Sequence, residues 1–138
     1  MGELSRIGVA IDSELLEKFD QHIAKRGYTN RSEAFRDLIR DELIETKWEL
    51  PDSQVVGTVT LVYDHHVRML SEKLNEMQHA AFHNVLSTLH VHLDHDNCLE
   101  VLVVKGSSIA VKKIADALIS TKGVKHGRLT ITSSGADL

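Results

Sequence analysis

The chain has 138 residues, 42% hydrophobic and 26% charged, with a formal net charge of -4, the profile of a globular protein of one or two small domains and not of a disordered chain. Residues 1–50 carry eleven Asp/Glu against eight Lys/Arg, which excludes broad electrostatic attraction to nucleic acid and restricts any such contact to a local patch. There is no apolar run of membrane-spanning length, the acidic N-terminus lacks the basic start of a signal peptide, and the single cysteine, Cys98, cannot close an internal disulfide, so a reducing, cytoplasmic location is expected.

The first element, "SRIGVAID", alternates: Ile7, Val9 and Ile11 share one face, and Arg6, Gly8 and Ala10 the other, the period of a half-buried strand. A helix over 12–27 follows, with Asp12 as N-cap, Leu15, Leu16, Phe19 and Ile23 as its apolar stripe and Gly27 as its stop. A second helix begins at Asn30, with Glu33 three residues on in a capping-box spacing, and buries Ala34, Phe35, Leu38, Ile39 and Leu43. No later strand in this segment can pair with the first, and two short helices cannot bury their stripes alone. A dimer that pairs its two strands as an antiparallel ribbon solves both problems.

This order, together with "RGYTNRSEAFRDLIRDEL", resembles the ribbon-helix-helix repressors. The resemblance implies that the ribbon enters the major groove of double-stranded operator DNA, with Arg6, Gly8 and Ala10 at the base-reading positions. It places Asn30, Arg31 and Ser32 at a helix N-terminus able to hold a phosphate. Gly8 and Ala10 depart from the polar residues usual at such positions, so direct hydrogen bonding falls on Arg6 and part of the specificity becomes indirect.

The segment "ETKWELPDS" breaks the helical pattern and holds the only proline. It divides the chain into a DNA-binding domain over 1–47, a linker over 48–53 and a second domain over 54–138, with Trp48 expected where the domains meet. Beyond it the elements read strand 54–64, helix 65–82, strand 84–94, strand 97–106, helix 107–123 and strand 124–133. The order β-α-β-β-α-β specifies a ferredoxin-like sandwich similar to regulatory ACT-type domains, so the whole chain is an α+β protein. Both helices cover one sheet face, and the bare face predicts a homotetramer built from two DNA-binding dimers.

"TLHVHLDHDNC" sets three histidines and the only cysteine in a strand, a turn and the start of the next strand. His90 and His92, two apart, leave the same face. A five-residue loop from Leu93 to Asn97 puts His92 opposite Cys98 and His90 opposite Glu100, gathering all four on one face. That register is expected to turn Leu89, Val91, Leu93, Leu99, Val101 and Val103 toward the helices. Two imidazoles and a thiolate need a fourth donor: His79 is the first candidate, ahead of His83, Met77 and the turn residue His95. With helices and ligands on opposite faces, a helix ligand arrives more easily from a neighbouring subunit. His22, His65, His66 and His126 read as surface residues, although His65 and His66 could bind metal at higher loading. A lone strand histidine or buried cysteine is usually unremarkable; four such residues within nine positions are not.

Over essentially its full length the chain resembles the nickel-responsive repressors of the NikR type. The resemblance implies one nickel ion per subunit, held in a square plane by His90, His92 and Cys98 with His79 of another subunit. It implies supporting roles for Tyr63 and Glu100 and a weaker cation site at Glu33 and Asp37, which a solvated helix face explains as readily. Donor chemistry alone does not choose nickel over zinc or copper. Competing readings are a small metalloenzyme with Glu100 or Asp96 as general base, and a repressor of this architecture that answers another metal or a small effector.

Overall fold

The computed structural model describes residues 2–138. They fall into two compact units, the first ending at Asp41 and the second beginning at Glu42.

In the first unit, residues 2–12 have no strand partner among the described residues, and helix α1 (Ser13–Lys25) follows. Asp12 caps it, its carboxylate accepting from the backbone N–H groups of Glu14 and Leu15 at 3.1 and 3.2 Å; these are donors that no helical carbonyl can reach. The chain leaves α1 through Gly27 at φ 88, where the Tyr28 N–H bonds back to the Ile23 carbonyl at 3.0 Å. A left-handed residue there suits glycine, as the stop signal predicts. Helix α2 (Arg31–Glu49) starts on the Asn30 side chain, which accepts from the Glu33 N–H at 2.9 Å. Glu33 does not complete the capping box; its carboxylate takes Arg36 instead. Phe19 and Phe35 stack at 5.2 Å between ring centres and Ile23 and Ala34 are buried, yet Ile7, Val9, Leu15, Leu38 and Ile39 all stay exposed, Ile7 at 80% and Leu38 at 54%.

The helix runs on through Trp48 and Glu49, beyond the point where the sequence suggests a break. A turn follows in which the Ser53 N–H bonds the Leu50 carbonyl at 3.2 Å. Trp48, expected where the domains meet, belongs to the core of the second unit. Its indole donates to the Thr132 carbonyl at 3.0 Å and lies over Gly57, where an added Cβ would meet the ring at 3.1 Å.

The second unit contains β1 (Gln54–Asp64), α3 (Leu70–Ala80), β2 (Val85–His92), β3 (Asn97–Ser107), α4 (Ser108–Ile119) and β4 (Val124–Thr132). Its antiparallel sheet has the order β2-β3-β1-β4, the ferredoxin-like topology expected. Strict alternation on β1 and β3 buries Val55, Val59, Leu61 and Tyr63 with Cys98, Glu100, Leu102 and Val104 on one face, where Leu74, Val111, Ala115 and Leu118 of the helices complete the core. Fully burying a side chain such as Leu61 or Leu102 contributes about 1.5–3 kcal/mol.

Helix α3 begins five residues later than the sequence pattern suggests. Residues 65–69 are turn instead, because the Asp64 side chain takes the His66 N–H at 2.8 Å, the His65 N–H is tied to the Asp96 carbonyl at 3.0 Å, and Met69 sits at φ 65. That conformation is incompatible with a helix interior.

Candidate metal centre

The β2–β3 register pairs His92 with Cys98 and His90 with Glu100, as the loop length predicts, and β1 adds Tyr63 opposite Cys98. His92, Cys98 and Tyr63 thus meet at one end of the sheet. The face is not the one expected. Cys98 and Glu100 lie on the helix-covered face, since Gln78 of α3 donates to Glu100 Oε2 at 2.8 Å. Leu89, Val91, Leu99, Val101 and Val103 instead line the bare face, where Leu89 is 60% exposed. Both faces of β3 are rich in aliphatic residues, so alternation fixes which residues share a face but not which face the helices cover.

The helices and the candidate ligands are therefore on the same side, not on opposite sides as expected, and the reason for a helix ligand to come more easily from a neighbouring subunit falls away: within one chain His79, Gln78, His90 and Glu100 line a common open cleft. His79 is exposed on α3 and is not gathered with Cys98. His83 is exposed, its ring 3.9 Å from that of Phe82, and Met77 turns inward, its sulfur accepting from the Thr121 hydroxyl at 3.5 Å.

Among the described residues, one group of donors gathers around the thiol: His65, His92 and Cys98. His65 Nδ1 lies 3.1 Å and His92 Nδ1 3.6 Å from Cys98 Sγ. A nitrogen at about 2.0–2.1 Å and a sulfur at about 2.3 Å from one ion lie about 3.0–3.6 Å apart at right or tetrahedral angles, so a thiol and imidazoles at this spacing fit a divalent ion of borderline softness. His90 is positioned differently. Its Nδ1 meets Glu100 Oε1 at 3.2 Å, which fixes the ring and leaves Nε2 as its free donor. Glu100, only 3% exposed, also accepts from the Tyr63 hydroxyl at 3.1 Å. Burial first, then the Glu100 carboxylate, holds the Tyr63 phenol far above its ordinary range, so it remains a donor. Burial likewise pushes the Cys98 thiol up, reinforced by Glu100, Asp64 and Asp94.

His65 is the residue that reading it as a surface histidine missed. The available signal was its place two residues beyond Tyr63, at the end of the strand that pairs with Cys98. His22 and His126 are exposed as expected. In the arm, Arg6, Gly8, Ala10 and Ser32 are exposed. Asn30 spends its side-chain oxygen on the α2 cap, and Arg31 donates two bonds to Asp20 at 2.8 and 2.7 Å, which lowers the Asp20 carboxyl from its ordinary value. Of the two carboxylates considered for a weak cation site, Glu33 is paired with Arg36, while Asp37 accepts from Tyr28 at 2.6 Å and meets Arg40 at 3.4 Å.

Residues 56–132 match the NikR C-terminal nickel-binding domain, and residues 5–46 match the ribbon-helix-helix proteins of the copG family. The chain belongs to the NikR family of nickel-responsive regulators. A protein of Solibacter usitatus described as a nickel-responsive regulator is 75% identical over the whole chain and 99% of its own length. One of Geobacter sulfurreducens is 64% identical over the same spans, and one of Caldanaerobacter subterraneus subsp. tengcongensis 51% identical over 96% of this chain and 86% of its own.

A NikR-family chain is a transcription regulator and not an enzyme. Glu100 is also unsuited to the general-base role the metalloenzyme reading offered it, because it is buried and committed to Tyr63, Gln78 and His90. Among the described residues no helix is long and apolar enough to cross a membrane.

Proposed function

We propose that this chain is a cytoplasmic nickel-dependent repressor. It binds operator DNA through a dimeric β-ribbon once one nickel ion per subunit is held at the sheet end by His90, His92 and Cys98, with His79 supplied by another subunit of a homotetramer. The observation that carries this reading is a buried thiol 3.6 Å from His92 Nδ1, on the sheet face where Glu100 orients the ring of His90. His79 on the exposed side of α3 supports its offer to a neighbour, and the aliphatic bare face of the sheet supports the association that would bring one.

The arm comprises residues 1–47, joined through 48–53 to the sensing domain 54–138. The exposed Ile7, Val9, Leu15, Leu38 and Ile39 support its dimerisation, which leaves Arg6, Gly8 and Ala10 for the groove and Asn30, Arg31 and Ser32 for phosphate. Arg31 must exchange Asp20 for that phosphate, or contribute through its backbone N–H alone. Glu33 and Asp37 take a further cation only by giving up Arg36 and Tyr28.

Bound nickel supplies ligand-field and charge energy that differs between free and DNA-competent arrangements. The protein residues supply the rest: Cys98 gives up its proton, Glu100 holds His90 in orientation, and Tyr63 holds Glu100.

A second ligand set has one observation in its favour, the 3.1 Å approach of His65 to Cys98, which would put His65 in place of His90. Nickel titration of the full chain, followed by thiolate-to-metal absorbance and by binding to DNA selected with the nickel-loaded protein, decides. Cys98→Ala should abolish both signals, and His90→Ala but not His65→Ala should weaken both. DNA binding that answers nickel equally well in Cys98→Ala refutes the centre.

A further inference from the structure

The segment that leads from α2 into the sheet is gripped by the start of α4. Residues 42–49 of α2 belong to the second unit. Lys112 Nζ donates to the Trp48 carbonyl at 2.7 Å, one of the carbonyls that a helix C-terminus leaves without an intrahelical partner and where a cation is favoured. The Ile109 and Ser108 N–H groups, in the first turn of α4 where no helical carbonyl reaches them, donate to the Pro51 and Ser53 carbonyls at 3.2 and 2.9 Å. The Ser108 hydroxyl donates to the Leu50 carbonyl, and Ser108 itself is only 1% exposed. Between them Ser108, Ile109 and Lys112 thus take the carbonyls of residues 48, 50, 51 and 53, and a segment whose proline marks it as a linker is a fixed joint.

This joint lies at one end of the two strands whose other end carries the thiol. β1 and β3 pair with Tyr63 opposite Cys98 at one end and Gln54 opposite Ser107 at the other. β3 passes straight into α4: Ser107 closes the strand and caps the helix, its hydroxyl accepting from the Ala110 N–H at 3.3 Å. β3 is also a central strand, between β2 and β1. Ladder bonds on both sides make it a stiff connection of about 33 Å from Cys98 to Ser108.

We infer that Ser108 and Lys112 are positioning residues for the nickel response: they fasten the end of α2 to the strand that carries Cys98, and through that grip the state of the centre biases the arm. This role rests on the reading of the chain as a nickel-dependent DNA-binding protein. Neither residue is among the candidate metal donors or the candidate DNA contacts, so neither sets the affinity for nickel alone. They set how much of the binding free energy at one site reaches the other, and a loosened joint leaves both binding events in place but uncouples them.

The test is the coupling factor, the ratio of DNA affinities with and without nickel, measured on the full chain with DNA selected by the nickel-loaded protein. Lys112→Met keeps most of the stem of an exposed residue and removes its donor. Ser108→Ala leaves the Leu50 carbonyl bonded to the Ser53 N–H at 3.2 Å. Each should lower the factor at least about threefold, within the range of about two- to thirtyfold for residues that carry coupling, while nickel affinity measured without DNA stays native. Lys112→Arg, which retains a donor, should keep the native factor. A purely structural grip would lower the Tm and leave the factor unchanged. A native factor in both Lys112→Met and Ser108→Ala, or loss of the thiolate-to-metal absorbance in Lys112→Met, overturns the inference. A coupling factor of one in the native protein is a separate result, which refutes the nickel-dependent reading and this role with it.

Discussion

Glu100→Gln keeps the size of a buried side chain and removes its charge, and the expected result is nickel binding weakened about 10–100-fold, or about 1.4–2.7 kcal/mol. The fold should tolerate it. The single oxygen of the new amide can serve Tyr63 and His90, while its NH2 group faces Gln78 Nε2, now 2.8 Å from Glu100. Gln78 relieves that clash by turning its amide over. Thr88, which donates to Gln78 Oε1 at 2.9 Å, can then accept through the same hydroxyl, so the structural cost stays near one hydrogen bond, about 0.5–1.5 kcal/mol.

Two electrostatic effects on the metal oppose each other. Without Glu100 the Cys98 thiol ionises more easily, which favours binding. A dication, however, feels the lost carboxylate about twice as strongly as the singly charged thiolate does at similar distance. The balance falls against nickel, and the weaker, neutral hydrogen bond now orienting the His90 ring adds to the loss. The assay is a nickel titration against a competing chelator at fixed pH, with thermal unfolding of the metal-free protein as control. Unchanged or tighter nickel binding in a folded variant refutes the role given to Glu100.

Nickel affinity should also rise with pH. Cys98 is held up by burial and neighbouring carboxylates and binds as thiolate, so below its raised pKa each pH unit downward weakens binding about tenfold through this proton alone; an affinity flat over two units contradicts thiolate ligation. Gly57→Ala would set a Cβ 2.9 Å from the Thr130 carbonyl and 3.1 Å from the Trp48 ring and should destabilise the sheet unit by about 1–3 kcal/mol, seen as a lower Tm; an unchanged Tm contradicts the indole packing. Arg6→Ala should cost about 1–3 kcal/mol of DNA affinity if it reads a base edge and leave nickel absorbance intact, whereas unaltered DNA binding removes Arg6 from the groove.

Much of this was legible in the sequence because the determinants are local. Asp12 and Gly27 bound α1 through a short cap and a left-handed exit, and the spacing between His92 and Cys98 fixed the hairpin register. What was not legible depends on long-range packing. Leu99, Val101 and Val103 look like core yet line the bare face, because both faces of β3 are aliphatic and alternation alone does not choose the one the helices cover. Residues 65–69 carry helix-compatible side chains, but the Asp64 cap and the bond from His65 to Asp96 hold them as a turn. That turn brings His65 to Cys98 and His66 to Asp96, contacts between segments about thirty residues apart that no periodicity announces.

The central claim is that the centre at Cys98 and the DNA-reading arm share one equilibrium, and linkage makes it directly measurable. If nickel raises DNA affinity by some factor, DNA must raise nickel affinity by the same factor. Both halves of that cycle can be measured on the full chain with DNA selected by the nickel-loaded protein. The account predicts equal factors of at least about ten, or about 1.4 kcal/mol of coupling, in the native protein and a factor of one in Cys98→Ala. DNA affinity that does not change across the nickel titration of the native protein would contradict it.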